Sequence, residues 1–460
     1  MSEIADIFLK KSKLKAFDLE HRKRLNFNIG RYNTAFKKGL EQYADLDLAK
    51  SRAASIKRKV VNNLDQYLIE FEQNFTANGG KVIWAVDAEE ARVEVLKIIK
   101  KHKAKQVVKM KSMTTEEIEL NAFLEKEGIE SIETDLGEYI VQLANEKPYH
   151  IVTPAMHKSK EDVALLFNEK MGWDEGLSPE QITAKVRIKL RDKFAKAEVG
   201  ITGANFLIAD TGSLALTENE GNGVLSMSMP PVHIAIAGIE KIIPSINDLD
   251  LFWPLLSSHG TGQYMTVYNS IINGPRKTGE KDGPLECYVV ILNNKRTELL
   301  KQEEQRVALS CIRCGACLNT CPVYKNIGGH TYDTTYSGPI GSVISPWMLG
   351  MKDYKHLIFA STLCGACNDV CPVKIPLQDL LLLNRRDAVV QKLSPPIEKI
   401  LVKTSSKILM KRKWLDFFSS KTKRLFISFF MSKAWGNKRK LPQMADKSFH
   451  TEWKEKNGIK

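Results

Sequence analysis

The chain has 460 residues, 43% hydrophobic and 27% charged, with 68 Lys and Arg against 54 Asp and Glu for a net charge of +14. That balance supplies apolar surface for a real core and excludes a disordered chain, a collagen-like repeat and a small disulfide scaffold. Its length allows about three domains. Met1 to Phe17 carries no signal-peptide core and no apolar run approaches the roughly 18 residues of a membrane span, so a cytoplasmic chain is expected.

Residues 8 to 78 read as helical, with apolar positions three and four apart over Arg22 to Ala44 and Ala53 to Phe75, closed by Gly79-Gly80. Strands and helices then alternate. Val82 to Val86 predicts a buried strand, Ala88 to Lys101 a helix, Gln106 to Val108 a second strand, and Thr114 to Glu117 the capped start of a helix. Ile129 to Glu133 and His150 to Val152 predict two more strands, which argues for a mostly parallel α/β sheet. From Gly200 to Asn293 the pattern turns β-rich, with strand candidates at Phe206–Ala209, Ser213–Thr217, His233–Ala237, Met265–Tyr268 and Tyr288–Leu292. Residues 397–460 hold 17 basic residues against 5 acidic ones and so carry +12 of the +14.

Seven of the 8 cysteines fall between Cys311 and Cys371. A disulfide network would spread its cysteines over the loops it staples, whereas this crowding suits metal ligation. Cys311, Cys314, Cys317 and Cys321-Pro322 follow the spacing that wraps three thiolates around one iron–sulfur cube and sends the fourth to another. Cys364, Cys367 and Cys371-Pro372 supply the second copy. Crossed ligation assigns Cys311, Cys314, Cys317 and Cys371 to cluster 1, a [4Fe–4S] centre, and Cys321, Cys364 and Cys367 to cluster 2. The second copy has Ser361 where a fourth cysteine would stand. Cluster 2 is then either a [3Fe–4S] centre or a [4Fe–4S] centre with a non-cysteine fourth site. Structural zinc prefers pairs of cysteines, often with His, to an evenly spaced triple with a trailing Cys-Pro. Cys287, in a strand-like setting, reads as a buried small hydrophobe. The 42 residues from 322 to 363 exceed the gap of a compact β-rich ferredoxin and point to an α-helical ferredoxin module. Within them His330 and Tyr336 read as packing residues, or as groups that tune a cluster or face a partner.

These motifs, with Gly328-Gly329-His330 and Gly338-Pro339-Ile340-Gly341, resemble the iron–sulfur subunit of the bacterial L-lactate utilisation system. Upstream, Ala209 to Leu214, Glu218 to Asn222 and Gly274-Pro275-Arg276 resemble its LUD domain, an α/β fold related to sugar-phosphate isomerases (NagB-like) and CoA transferases. The resemblance implies a non-catalytic electron-transfer subunit in the oxidation of L-lactate to pyruvate. Its partners would be a cysteine-rich lactate-utilisation subunit and a second LUD-domain protein. The other reading makes the LUD domain an enzyme acting on a carboxylate, phosphate or thioester, with the clusters serving it.

The expected organisation is a helical segment over 1–78, an α/β LUD-like domain over 79–296, an α-helical di-cluster ferredoxin domain over 297–395 and a basic helical tail over 396–460. Asp210, Thr211, Gly212 and Ser213 offer backbone and hydroxyls to an anionic ligand, with Lys109, Lys111, Ser112 and Arg276 as further donors; tight strand turns are the structural alternative. Glu218 and Glu220 are a candidate acid/base pair. The tail interleaves charge with bulk at Lys411 to Leu415, Phe417-Phe418, Lys423 to Ile427 and Phe429-Phe430. It reads as an amphipathic contact with an anionic membrane surface, a dock for an acidic partner, or an ordinary helix with a solvated basic face. No nucleic-acid module accompanies the charge.

Overall fold

The computed structural model describes residues 2–412, 414, 417, 419–435 and 445–459. Lys413, Leu415 and Phe418 of the basic tail lie outside the described residues, as do the side chains of 396, 397 and 430–435. Four helices open the chain: α1 (Glu3–Ala16), α2 (Leu19–Leu40), α3 (Leu46–Asn62) and α4 (Leu64–Ala77). Ser2, Asp18 and Asp45 cap the first three, each accepting from the backbone N–H three residues on. The apolar pattern over Ala53–Phe75 predicts one helix. The structure breaks it at Asn63, which leaves the helical region at φ −135° while its side chain donates to the Lys59 carbonyl.

Strands β1 (Lys81–Ala85), β2 (Gln106–Lys109), β3 (Glu130–Glu133) and β4 (Val199–Gly203) precede a hairpin of β5 (Phe206–Ile208) and β6 (Ser213–Glu218), then β7 (Val232–Gly238), β8 (Ile242–Ile243), β9 (Tyr268–Ile272) and β10 (Glu286–Leu292). Six of them form a parallel sheet in the order β1-β10-β7-β4-β2-β3; the others form a small mixed sheet, β8-β5-β6-β9. Both faces of the large sheet are buried over its central strands, as their continuous apolar runs require. The expected buried strand at Val82–Val86 is instead an edge strand that leaves Trp84 and Val86 exposed. On β7 and β10, Ile234, Ile236, Val290 and Leu292 meet α5 (Ala88–Lys101) on one face. Ala235, Ala237, Val289 and Ile291 meet Phe71 and Phe75 of α4 on the other. After α6 (Met113–Glu117), α7 (Leu120–Lys126) and α8 (Leu136–Leu143), a third core gathers Val108 and Ile132 with α9 (Lys160–Met171) and α10 (Pro179–Lys196). α4 is thus part of the α/β core.

Two predicted strands change. His150–Val152 is irregular, because the His150 Nδ1 accepts the N–H groups of Val152 and Thr153 that a ladder would need. The strand predicted at Met265–Tyr268 begins only at Tyr268; before it, Val267 donates its N–H to the Asn219 side chain. β4 is not announced by residue type, since it holds two glycines. Gly200 is needed there, because a Cβ would lie 1.6 Å from the Ser226 carbonyl oxygen.

Beyond β10 the chain is helical. α13 (Arg296–Leu300), α14 (Ala316–Thr320), α15 (Tyr324–Ile327), α16 (Gly338–Leu349), α17 (Met351–Tyr354), α18 (Ala366–Val370) and α19 (Leu377–Val390) are short pieces set around the cysteines. Met1–Ala388 is one compact unit and Val389–Lys460 another. The second carries α20 (Pro396–Leu409), α21 (Ser420–Trp435) and α22 (Phe449–Lys456), with Leu401, Val402, Leu409 and Leu425 exposed. Among the described residues no helix is long and apolar enough to cross a membrane.

Candidate cluster sites and an adjoining cavity

The two cysteine motifs fold alike, fifty positions apart. Arg313 and Leu363 take left-handed backbone at φ 62° and 54°, and Gly315 and Gly365 follow at 80° and 81°. Glycine is needed at 315, where a Cβ would also press on Val152 at 3.3 Å. Each loop then runs into a short helix, α14 or α18, and the two helices pack together.

That packing crosses the motifs. Cys311, Cys314 and Cys317 line one cavity with Cys371 of the second motif. Cys321 of the first motif joins Cys364, Cys367 and Ser361 around another. All seven are free thiols. In the first set burial pushes Cys314 and Cys317 well up and Cys371 to about 11, and Cys311 adds to each. In the second, burial raises Cys321 and takes Cys367 to about 12. Cys364 is exposed, and the Ala366 N–H lowers its pKa. Thiols that resist ionisation alone, gathered around shared space, suit a cationic metal centre that offsets several thiolates at once. The donor set therefore fits iron–sulfur clusters.

Ser361 has a defined place in this symmetry. The Cys311 Sγ accepts from the Arg313 N–H at 3.4 Å, and the Ser361 Oγ accepts from the Leu363 N–H at 3.0 Å. The hydroxyl occupies in the second motif the position that the Cys311 thiol has in the first.

A larger cavity, of about 290 Å³, adjoins the first set and was not evident in the sequence. Its floor is the C-terminal edge of the parallel sheet. Met110–Thr114 follow β2, Asp135 follows β3, Gly203–Asn205 end β4, and Lys241 follows β7. Residues of β6, Asn219, Glu220 and Asn222 beyond it, and α12 (Leu249–Gly260) close the sides, while Arg313, Cys314 and Tyr336 form the wall shared with the cluster module. Behind that wall lies a buried ion network. Arg296 pairs with Glu117 at 2.8 Å and with Glu240, which also meets Arg313 at 3.2 Å. Burial works to raise the Glu240 pKa, but Arg296, Arg313 and Lys241 bring it down to about 2.

Of the sequence candidates, Lys111 and Ser112 line this cavity: Lys111 donates to the Val152 carbonyl at 2.6 Å and Ser112 caps the helix Met113–Glu117. Lys109 does not; it is buried in an ion pair with Glu133 at 2.6 Å. Glu218 and Glu220 both line it, and burial raises the Glu218 pKa while its oxygens accept the Gly223 and Val224 N–H groups. The structure does not bring Asp210, Thr211, Gly212, Ser213 or Arg276 to the cavity. Asp210–Ser213 is the β5–β6 turn, tied to α4 by Asn74 and Asn78, which donate to its carbonyls. Its Gly212 has φ 57° and no room for a Cβ beside Asn74 and Phe75. Arg276 is exposed and donates to the Lys281 carbonyl. Tyr336 donates to Glu117 at 2.6 Å and lies under the Arg313 guanidinium. His330 packs on Tyr149 and His157, and Cys287 is fully buried in β10 against His233.

Residues 68–292 match the LUD domain family and residues 307–375 the 4Fe-4S dicluster domain, so an α/β LUD domain is followed by a helical iron–sulfur module. Lactate utilization protein B of Bacillus licheniformis is 47% identical over 356 residues, covering 77% of this chain and 74% of the relative. The protein of the same name from Bacillus subtilis is 46% identical over 365 residues, covering 79% and 76%. A solved DUF162 family protein from Deinococcus radiodurans aligns at 14% identity with a TM-score of 0.29, over 50% of this chain and 98% of its own. The chain belongs to the lactate utilization protein B family.

Proposed function

We propose that the chain is an iron–sulfur electron-transfer protein in the oxidation of L-lactate to pyruvate, working within a multi-subunit complex. The observation that carries this reading is the sorting of seven cysteines into two neighbouring sets. In it Cys311, Cys314, Cys317 and Cys371 hold cluster 1, and Cys321, Cys364 and Cys367 hold cluster 2, with Ser361 facing its fourth corner. When bound, such clusters supply reversible one-electron chemistry. The chain's own part is to bury the first set and to leave Cys364 at the surface, where a partner has access. The lactate assignment comes from the named relatives, and the partners follow it: a cysteine-rich subunit and a second LUD-domain protein. The basic tail, with its exposed apolar side chains, is the proposed contact with an anionic membrane surface.

Anaerobic EPR of the purified chain tests this. Dithionite should reduce the clusters and L-lactate alone should not. Reduction by lactate alone would overturn the carrier reading and place the oxidation in this chain.

A further inference from the structure

The Gly328-Gly329-His330 motif holds neither cluster. Both glycines are needed where the loop crosses Tyr149. A Cβ on Gly328, at φ 70°, would lie 1.5 Å from the Tyr149 hydroxyl oxygen, and one on Gly329 would lie 1.8 Å from the Tyr149 carbonyl oxygen. That close approach seats His330 of the cluster module against two residues of the LUD domain. Glu146 follows α8, which closes through left-handed Asn145 with the Glu146 N–H donating to the Val141 carbonyl. His157 lies shortly before α9, its ring stacked on Tyr149 at 4.7 Å. One carboxylate oxygen of Glu146 and one ring nitrogen from each of His157 and His330 fall within 4.8 Å of one another.

The surroundings of each group suit a metal. Burial lowers the His157 pKa to about 4 and lowers that of His330, so both rings are neutral and each has a lone pair to give. His157 Nε2 meets Glu146 Oε2 at 2.7 Å, while its Nδ1 is buried with no hydrogen-bond partner. His330 Nε2 donates to the Lys147 carbonyl at 2.6 Å, the kind of outer contact that orients a ligating imidazole. Lys158 donates to Glu146 Oε1 at 2.7 Å and so leaves Oε2 toward the histidines. Burial works to raise the Glu146 pKa, but Lys158 and His157 bring it below the ordinary value.

Glu146 also borders a second cavity, of about 320 Å³, between α7 and α8. Glu116, Glu119, Glu125, Glu133 and Glu138 line it as well. Glu133 and Glu138 are each 2% exposed, and each has one carboxyl oxygen without a partner. Lys109, Lys147 and Lys158 pair with members of this set and Lys111 acts on Glu138, so acidic groups still outnumber amines. The approach to Glu146 therefore favours a cation.

We propose that Glu146, His157 and His330 bind one zinc ion, which clips the Gly-Gly-His loop of the cluster module to the LUD domain. Two imidazoles and a carboxylate are a zinc donor set, with the fourth position left to water from the acidic cavity. Bonds of about 2.1 Å require only small side-chain rotations from the spacing present.

Anaerobic incubation of the cluster-loaded full chain with an equivalent of Zn²⁺, followed by desalting, tests it alongside Glu146→Gln and His330→Gln. Retention of about one zinc per chain at unchanged iron and sulfide, with an X-ray absorption shell of nitrogen and oxygen at about 2.0–2.1 Å and no sulfur near 2.3 Å, supports the site. Zinc affinity, read by competition with a chelator, should fall at least about tenfold in each variant. Glu146→Gln keeps the shape of the side chain and an acceptor for Lys158, so it decides the matter if His330→Gln disturbs the loop. Zinc held as tightly by Glu146→Gln as by the native chain overturns the site. So does zinc bound through sulfur alone, or no zinc retained by the loaded chain, and each of these results leaves the electron-carrier reading standing.

Discussion

Ser361 and Cys311 stand at matching backbone positions, each accepting an N–H from a residue in left-handed conformation two positions on. Replacing Ser361 by Cys should complete the second set. If cluster 2 is isolated with three irons, its oxidised EPR signal should vanish in Ser361→Cys and persist in Ser361→Ala. Replacing Cys314 by Ala should remove cluster 1, and iron and sulfide should fall by about half in an elemental assay. The cysteine pattern was legible because its chemistry is written in spacings of three and four residues. The cavity was not. Lys111, Arg313 and Lys241 are far apart in sequence, and only the strand order brings them together. Asp210–Ser213 looked like a ligand loop for a local reason: a Gly-rich turn that frees backbone groups and one that ties a hairpin to a helix share the same residues.

Glu240 joins three elements: the turn after β7, α13 through Arg296, and the first cysteine loop through Arg313. Glu240→Gln leaves buried Arg313 without its carboxylate and Arg296 with Glu117 alone, and should cost about 3 kcal/mol in urea unfolding. The native pair also sets an acid response. The folded pKa is depressed to about 2 from an ordinary 4.5, so the stabilisation is present above pH 4.5 and is lost as pH falls toward 2. Part of the acid sensitivity of the native chain should therefore be missing from Glu240→Gln when unfolding is followed across that range. At this scale most strands were readable from short apolar runs. β4 was hidden by its two glycines, of which Gly200 lets α11 (Asn222–Ser228) pack close and Gly203 makes room for Ser112, and residues 150–152 were misleading because a histidine side chain takes the ladder's N–H groups.

The whole molecule divides at residue 388, and the first unit contains every cysteine and the ion network. A chain ending at Ala388 should keep its iron content and its melting temperature to within about 2 °C, and vesicles of anionic lipid should bind the full chain but not this shorter one. Retained vesicle binding would place the membrane contact elsewhere.

The opening helices of that unit reach the region of the clusters. Ser2 donates to the Asp353 carbonyl, Lys11 pairs with Asp333, and Lys50 donates to the Asp369 carbonyl two residues before Cys371. Lys374 pairs with Asp47 and donates to Ser51. During synthesis these helices leave the ribosome some three hundred residues ahead of the loops they hold, and β1 waits about two hundred residues for β10. Cluster loading should therefore come late, after the opening helices have met residues 333–374. The brown colour of a preparation then reports completeness: a molecule clipped or stalled anywhere between the first helices and Cys371 should come off the column pale.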